Sequence, residues 1–459
     1  MTTLTGPVTG GARGWPFGAA AFDLAALGYV EEEFFFAGEA TRFRHAAGTG
    51  RSFDGKWQAE PAGRAPFKSR MLIRRPADPA KFNGTVVVLW NNVSLGFDIY
   101  AGESPEIYRG GFAIALVSSQ AAGVHGFPAT PERALTGWDP QRYGDLRIPG
   151  DEYSFDIYTQ AARLLGPDRP KGTTDPLGGL RVHKLVAAGA SQSAVRLVTY
   201  FNAIQPDTRA FDAFYIHIFF GNGAPLEEPP AASRPTIQRV EDIMPLAVKM
   251  PPGSHRLRDD LDAPVLLMNS ETESTLYRPI RQPDTECFRF WEVAGCAHGC
   301  AAGSKFMTSS WPRDLGLDGH PMAPKAGNNV LTHEPVNSAG LAHLQHWLTD
   351  GTPPPIQPRL TFEGDPPHLK RDANGNAEGG IRLPQMAVPT ATHTGVDADG
   401  VLQMFGTTTP FSNATLHKLY ASPEDYARKL RAAADAAVAA GFLLPVDAGP
   451  LVEGTLKGA

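Results

Sequence analysis

Cysteine is scarce in this chain of 459 residues. Only Cys287, Cys296 and Cys300 occur, all in one short segment, too few and too clustered for a disulfide framework. Long hydrophobic runs are missing too: no stretch approaches the ~18 apolar residues of a membrane span. The first residues, MTTLTGPVTGGARGWPF, hold no basic segment followed by an apolar one. The expectation is a soluble cytoplasmic protein with no membrane partner. Nor is there surplus positive charge, since 42 Lys and Arg stand against 48 Asp and Glu and give a formal net charge of −6. That balance offers nothing to a nucleic acid.

What is present is material for a buried core, with 42% hydrophobic and 20% charged residues. Strand-like and helix-like segments alternate. YVEEEFFF (29–36), FKSRMLIRRP (67–76), GTVVVLW (84–90), FAIALVSS (112–119), HKLVAAG (183–189), AFYIHIFF (213–220), APVLLMNS (263–270) and CFRFWEVAG (287–295) read as strands. DIYTQAARLL (156–165), SAVRLVTYFNAI (193–204), SAGLAHLQHWLTDG (338–351) and SPEDYARKLRAAADAAVAAG (422–441) read as helices. Continuous apolar strands between helices predict an α/β protein with a mostly parallel sheet covered on both faces. One domain is expected over 1–459, with a proline-rich lid or cap insertion at 222–262 and a C-terminal extension, 301–459, packed on the core.

The stretch KLVAAGASQSAVRLVTYF (184–201) places Ser191 where strand becomes helix. Its G-A-S-Q-S differs from G-x-S-x-G only in the last position, where Ser193 replaces glycine. A nucleophile presented on such a turn needs small neighbours on both sides, and the backbone N–H of Gln192 at the helix start can stabilise an oxyanion. The plainer alternative is a tight turn without chemistry.

A serine nucleophile needs a base and an acid, in the chain order serine, acid, histidine. His298 follows a strand and sits behind Gly295 in a G-x-x-H turn. The competing histidines fit less well: His217 lies in a strand, His343 and His346 on a helix, and His320 and His333 in loops with no strand before them. Two carboxylates follow the preceding strand, Glu271 and Glu273. Glu273 is preferred because it reaches furthest into the expected loop, and Glu271 is the alternative. The loop NNVSLGFD after GTVVVLW is the candidate source of the second oxyanion donor, the backbone N–H of Val93 or Ser94.

Five motifs resemble a bacterial and fungal family described as an alpha/beta hydrolase domain: WNNVS (90–94), RYGDLRIPGD (142–151), GASQSA (189–194), SETES (270–274) and WEVAGCAH (291–298). The likeness extends to GTTTPFSNATLHKLY and the last helix. It implies the α/β-hydrolase fold and a serine hydrolase mechanism, and no particular substrate. One departure is the acid turn, where the family's aspartate is replaced by Glu273. The expectation is a Ser191–His298–Glu273 esterase acting on a small-molecule ester, with no metal and no organic cofactor. Alternatives are an acyltransferase, a lactone or amide hydrolase or a C–C bond hydrolase using the same serine, or a non-catalytic small-molecule receptor on the same fold. Cys296, His298 and Cys300 in CAHGC lack metal-knuckle spacing, and a disulfide between the cysteines is disfavoured in a reducing compartment.

Overall fold

The computed structural model describes residues 2–170, 172, 174–228, 237–242, 250–299, 305–321, 327–396 and 402–458. The chain divides into two compact units, one of Met1–Val265 with Lys305–Asp318, the other of Leu266–Ser304 with Gly319–Ala459. The segment 305–318 groups with the N-terminal unit, while the two strands that precede it group with the C-terminal part.

Unit one carries strands β1 (Thr3–Thr5), β2 (Tyr29–His45), β3 (Ala59–Pro76), β4 (Thr85–Trp90), β5 (Ala113–Val117), β6 (Lys184–Ala190) and β7 (Ala213–His217). Their order is β1-β2-β3-β5-β4-β6-β7. The β1, β2 and β3 side is antiparallel through to β5, while β5, β4, β6 and β7 pair in parallel. The parallel strands are the continuous apolar runs. TVVVLW and AIALV are buried at every position, as strands covered on both faces must be. Helix α1 (Ser154–Leu165) lies against them, with the Tyr158 hydroxyl donating to Val88 O at 2.6 Å.

The order β5-β4-β6 holds the feature that positions a site. The chain leaves β4 toward β5 and returns to pair β6 on the other side of β4, so the connections diverge at the carboxyl ends of β4 and β6. Such a switch point leaves a crevice where ligands bind in open α/β sheets. The loop starting at Asn91 and the turn at Ser191 are the two segments that leave it.

The antiparallel flank carries buried charge. Arg70 reaches Glu33 at 3.0 Å, Arg142 reaches the same carboxylate at 2.7 Å, and Arg74 reaches Glu31 at 2.7 Å. The same guanidinium groups tie down the N-terminal arm: Arg142 donates to Val8 O at 2.8 Å, Arg70 to Phe17 O at 3.1 Å and Arg74 to Gly18 O at 3.0 Å. Breaking one such buried pair costs about 3–5 kcal/mol, because the partner charge is left unpaired.

The strand expected over 213–220 ends at His217. Ile218 has φ 47°, a left-handed conformation that a β-branched residue adopts only under constraint, and the chain turns there. The helix expected over 193–204 is α-helical as α2 (Gln192–Thr199) and continues as one π turn, Tyr200–Ile204. Within the insertion, 229–236 and 243–249 lie outside the described residues. Its later part is tied to the body of unit one by Asn202, which donates to Arg256 O at 2.8 Å and accepts from Arg258 N at 3.0 Å.

Unit two contains β8 (Val265–Ser270, entering from unit one at Val265) beside β9 (Phe288–Val293). It also has a two-residue ladder of β10 (Phe362–Glu363) with β11 (His368–Leu369), and an antiparallel hairpin of β12 (Ala391–Val396) and β13 (Leu402–Pro410). Its helices include α3 (Glu271–Tyr277), α4 (Glu334–Asp350), α5 (Pro423–Ala439) and α6 (Pro445–Gly458). Helix α5 starts as its sequence implies: Ser422 Oγ accepts from Asp425 N at 3.2 Å and Pro423 takes the first turn. Tyr426, Leu430, Ala434, Ala437, Leu443 and Val452 form a small core where α5 meets α6. Among the described residues no helix is long and apolar enough to cross a membrane.

Candidate active site

In unit one, β6 ends at Ala190 and α2 begins at Gln192, so the whole change of direction falls on Ser191, at φ 59° and ψ −116°. A non-glycine residue held there costs on the order of 1–3 kcal/mol and persists only where its surroundings impose it. They do so here through several bonds. Ser191 N–H donates to His217 O of β7 at 3.0 Å, and Val195 N–H donates to Ser191 O at 3.1 Å. Ser193 Oγ accepts from Ala190 N and donates to Ala190 O, both at 2.9 Å. The serine that replaces the motif's last glycine thus laces the turn. Gly189 answers a different need: a Cβ there would stand 2.9 Å from Leu197 Cδ1 and 3.0 Å from Ser193 Oγ.

The loop after β4 is sewn to the same turn. Asn92 Nδ2 donates to Ala190 O at 2.9 Å, and the backbones of Asn92 and Ile99 exchange bonds at 3.0 and 2.8 Å. Of the two backbone donors expected here, Ser94 N–H is bound to Asn92 Oδ1 at 2.8 Å. Val93 N–H has a longer contact, 3.4 Å to Gln192 Oε1. The geometry therefore separates two residues that the sequence left equivalent. Ser94's amide closes an Asx turn, while Val93's amide is weakly held.

Unit two brings Glu273 and His298 together. His298 Nδ1 lies 2.6 Å from Glu273 Oε1, and Ser270 gives its N–H and its hydroxyl to Glu273 Oε2 at 2.7 Å each. Glu273 is not in a loop, as the strand count suggested, but in the first turn of α3. Ser270 caps that helix and Glu273 closes the capping box. Burial works against ionisation of Glu273, yet the hydrogen bond and charge of His298 together with the bonds from Ser270 outweigh it, holding the carboxyl below its ordinary value. A carboxylate at Nδ1 fixes the proton on that nitrogen and makes Nε2 the basic one. The His298 backbone N–H is pinned by Thr272 Oγ1 at 3.0 Å, and that hydroxyl donates to Gly395 O at 2.9 Å.

Glu271, two residues earlier, faces other partners. Its oxygens accept from Gly295 N at 2.9 Å and Gly395 N at 3.1 Å, and Arg371 Nη2 lies 2.8 Å away. It braces the turn that carries the histidine. Gly295 itself has φ 72°, and a Cβ there would run into the Met386 thioether.

Two histidines passed over in the sequence lie near His298. His333, at the start of α4 rather than in an open loop, has Nε2 3.5 Å from His298 O. Burial lowers its pKa, and His320 is held down to about 4 by burial and then by the charge of His298. Both are therefore neutral near pH 7. Only their shared neighbourhood, invisible along the chain, would have marked them. Cys287 is half-buried and Cys296 buried, Cys300 lies outside the described residues, and no metal-holding group of side chains occurs among the described residues.

Several solved structures show similarity at low identity. Esterase Est22 is 11% identical over 62% of this chain and 76% of that chain, with a TM-score of 0.31. A dienelactone hydrolase-like promiscuous phosphotriesterase from metagenomic libraries is 12% identical over 68% of this chain and 98% of that one, TM-score 0.29. A prolyl endopeptidase is 13% identical over 58% of this chain and only 35% of its own length, TM-score 0.27. No curated protein matches the chain in sequence. The alpha/beta hydrolase domain family model matches residues 4–453, nearly the whole chain, and the protein belongs to that family.

Proposed function

We propose that the protein is a serine hydrolase that cleaves carboxylic esters of small molecules through an acyl-enzyme. Ser191 Oγ attacks the acyl carbon while His298 Nε2 takes its proton. The backbone N–H groups of Gln192 and Val93 hold the oxyanion, and the alcohol leaves with the proton from His298. Water, deprotonated by the same imidazole, then releases the acid. Glu273 stabilises the imidazolium and fixes its tautomer without itself taking the proton.

The observation that carries this reading is Ser191 at φ 59° between β6 and α2, a strained conformation with a polar side chain at a helix start. The His298–Glu273 contact of 2.6 Å supports it. Esters are favoured over amides because the alkoxide is the better leaving group and asks less of the acid step. The segment 222–262 is proposed to select among substrates, since loops at the carboxyl ends of parallel strands surround the binding crevice.

The test is labelling by a fluorophosphonate together with turnover on a panel of p-nitrophenyl esters. Ser191→Ala should lose both while keeping its circular dichroism spectrum, a drop of several orders of magnitude in kcat. Wild-type turnover in that variant would contradict the mechanism. Deleting 229–249 should shift relative rates among esters of different size; an unchanged profile would remove the segment from specificity.

A further inference from the structure

The acyl-enzyme reading uses only the backbone N–H of Gln192, and its side chain is a junction of segments far apart in sequence. Nε2 donates to Gln120 Oε1 at 2.9 Å, and the same oxygen accepts the Trp90 indole N–H at 3.0 Å. Gln120 Nε2 in turn donates to Asp151 Oδ2 at 2.6 Å. Asp151 is fixed by Ala121 N at 2.8 Å and by Arg196 Nη2 at 3.1 Å, and Trp90 and Gln120 are buried.

Polarity runs one way through this chain of bonds. An indole N–H can only donate and a carboxylate can only accept, so Trp90 and Asp151 set the orientation of the Gln120 amide. Gln120 then presents an oxygen to Gln192, which must answer with its Nε2. The Gln192 Oε1 is left turned to Val93 N–H, 3.4 Å away. That contact is at the long end of N–H···O bonds, easily exchanged for a shorter bond to a charged oxygen.

We propose that the Gln192 side chain is a positioning residue for the oxyanion site, holding Val93 N–H in place before substrate binds and yielding it to the oxygen of the tetrahedral intermediate. The inference rests on the acyl-enzyme reading above. The relay through Gln120, Asp151 and Arg196 fixes the orientation of the Gln192 amide, so that its oxygen and not its nitrogen faces Val93 N–H. It also joins the segments that carry three of the chain's motifs: Trp90 opens WNNVS, Asp151 closes RYGDLRIPGD, and Gln192 lies in GASQSA.

The experiment compares wild type, Gln192→Met, Gln120→Met and the double variant on p-nitrophenyl butyrate, with thermal melts of each. Gln192→Met should lower kcat by about 10- to 100-fold with KM within about threefold, because a misplaced donor costs transition-state binding rather than substrate binding. Gln120→Met should lose less, and the double variant should be no slower than Gln192→Met alone, since both act through one amide. A kcat for Gln192→Met within about twofold of wild type, or losses that multiply in the double variant, would overturn the inference. Should Gln192→Met fail to fold, Gln192→Asn, one methylene short, is expected to show the same kcat loss, and its absence is equally decisive. If Ser191→Ala is dead while the Gln192 variants are unaffected, this inference alone falls. If Ser191→Ala turns over like wild type, the underlying reading falls and takes this inference with it.

Discussion

The turn that carries Ser191 and the turn that carries His298 are built from different materials. The serine turn is held by neutral groups: backbone amides, the Ser193 hydroxyl, and the side-chain amides of Asn92 and Gln192. The histidine turn is held by two buried carboxylates, Glu273 on the imidazole and Glu271 on the glycine backbone and Arg371. The difference matches what the proposed mechanism asks of each turn. A serine hydroxyl needs only to be aimed, by a strained backbone and close packing. An imidazole that becomes a cation during reaction needs a fixed negative charge in a low-dielectric setting. Two carboxylates two residues apart thus divide one task, with Glu273 touching the ring and Glu271 bracing the loop.

The sharpest way to break this comparison is to neutralise each carboxylate. Glu273→Gln keeps the shape but removes the charge, and kcat should fall by about a thousandfold or more. Glu271→Gln should lower kcat by less than about tenfold, since its contacts are to backbone and to Arg371, while costing about 1–3 kcal/mol of stability as those bonds weaken. Steady-state turnover and melting curves on both variants decide between them. Reversed results would make Glu271 the partner of the base. On the serine side, Ser193→Ala removes two bonds from the turn and should destabilise by about 1–2 kcal/mol, with a fall in kcat as Ser191 relaxes toward ordinary φ. A variant equal to wild type in both would show that Ser193 is only small, not connected.

The smallest effect concerns pH. Burial, joined at His320 by the charge of His298, holds His320 and His393 down to about 4. In the unfolded chain a histidine takes its proton near 6.5. Between these values the unfolded state binds more protons, so stability rises with pH. The contribution is complete above about pH 6.5 and is lost as pH falls toward 4. The melting temperature should drop by roughly 2 °C or more from pH 7 to pH 5. His393→Asn should flatten that slope; an unchanged slope would place the cause elsewhere. The depressed carboxyl of Glu273 adds a loss in the same direction at lower pH, as it becomes protonated.

The sequence was most legible where one short segment determines its own geometry. The apolar runs of β4, β5 and β6 could only be buried strands, and G-A-S-Q-S between strand and helix names its own turn. The carboxylate that contacts His298 was harder to read because Glu271 and Glu273 follow the same strand, and their partners, His298 and Arg371, lie 25 and 100 residues away in sequence. A local signal was available nonetheless: Ser270 followed three residues later by Glu273 is the pattern of a capping box, which marks a helix start rather than a loop. The turn at Ile218 had no such signal, since nothing in AFYIHIFF distinguishes a residue forced to positive φ from its strand neighbours. The bond from Gln192 to Gln120 crosses 72 residues, and neither glutamine stands out in sequence.

The central claim is that Ser191 becomes covalently acylated during turnover. Rapid-quench mass spectrometry with a p-nitrophenyl ester tests it without relying on any variant. The account predicts that the protein quenched within the first turnover gains the mass of one acyl group, located on the peptide containing Ser191, and that this species decays at the steady-state rate. Hydrolysis that proceeds with no acylated species under conditions where deacylation limits the rate, or an acyl group on a peptide without Ser191, would contradict it.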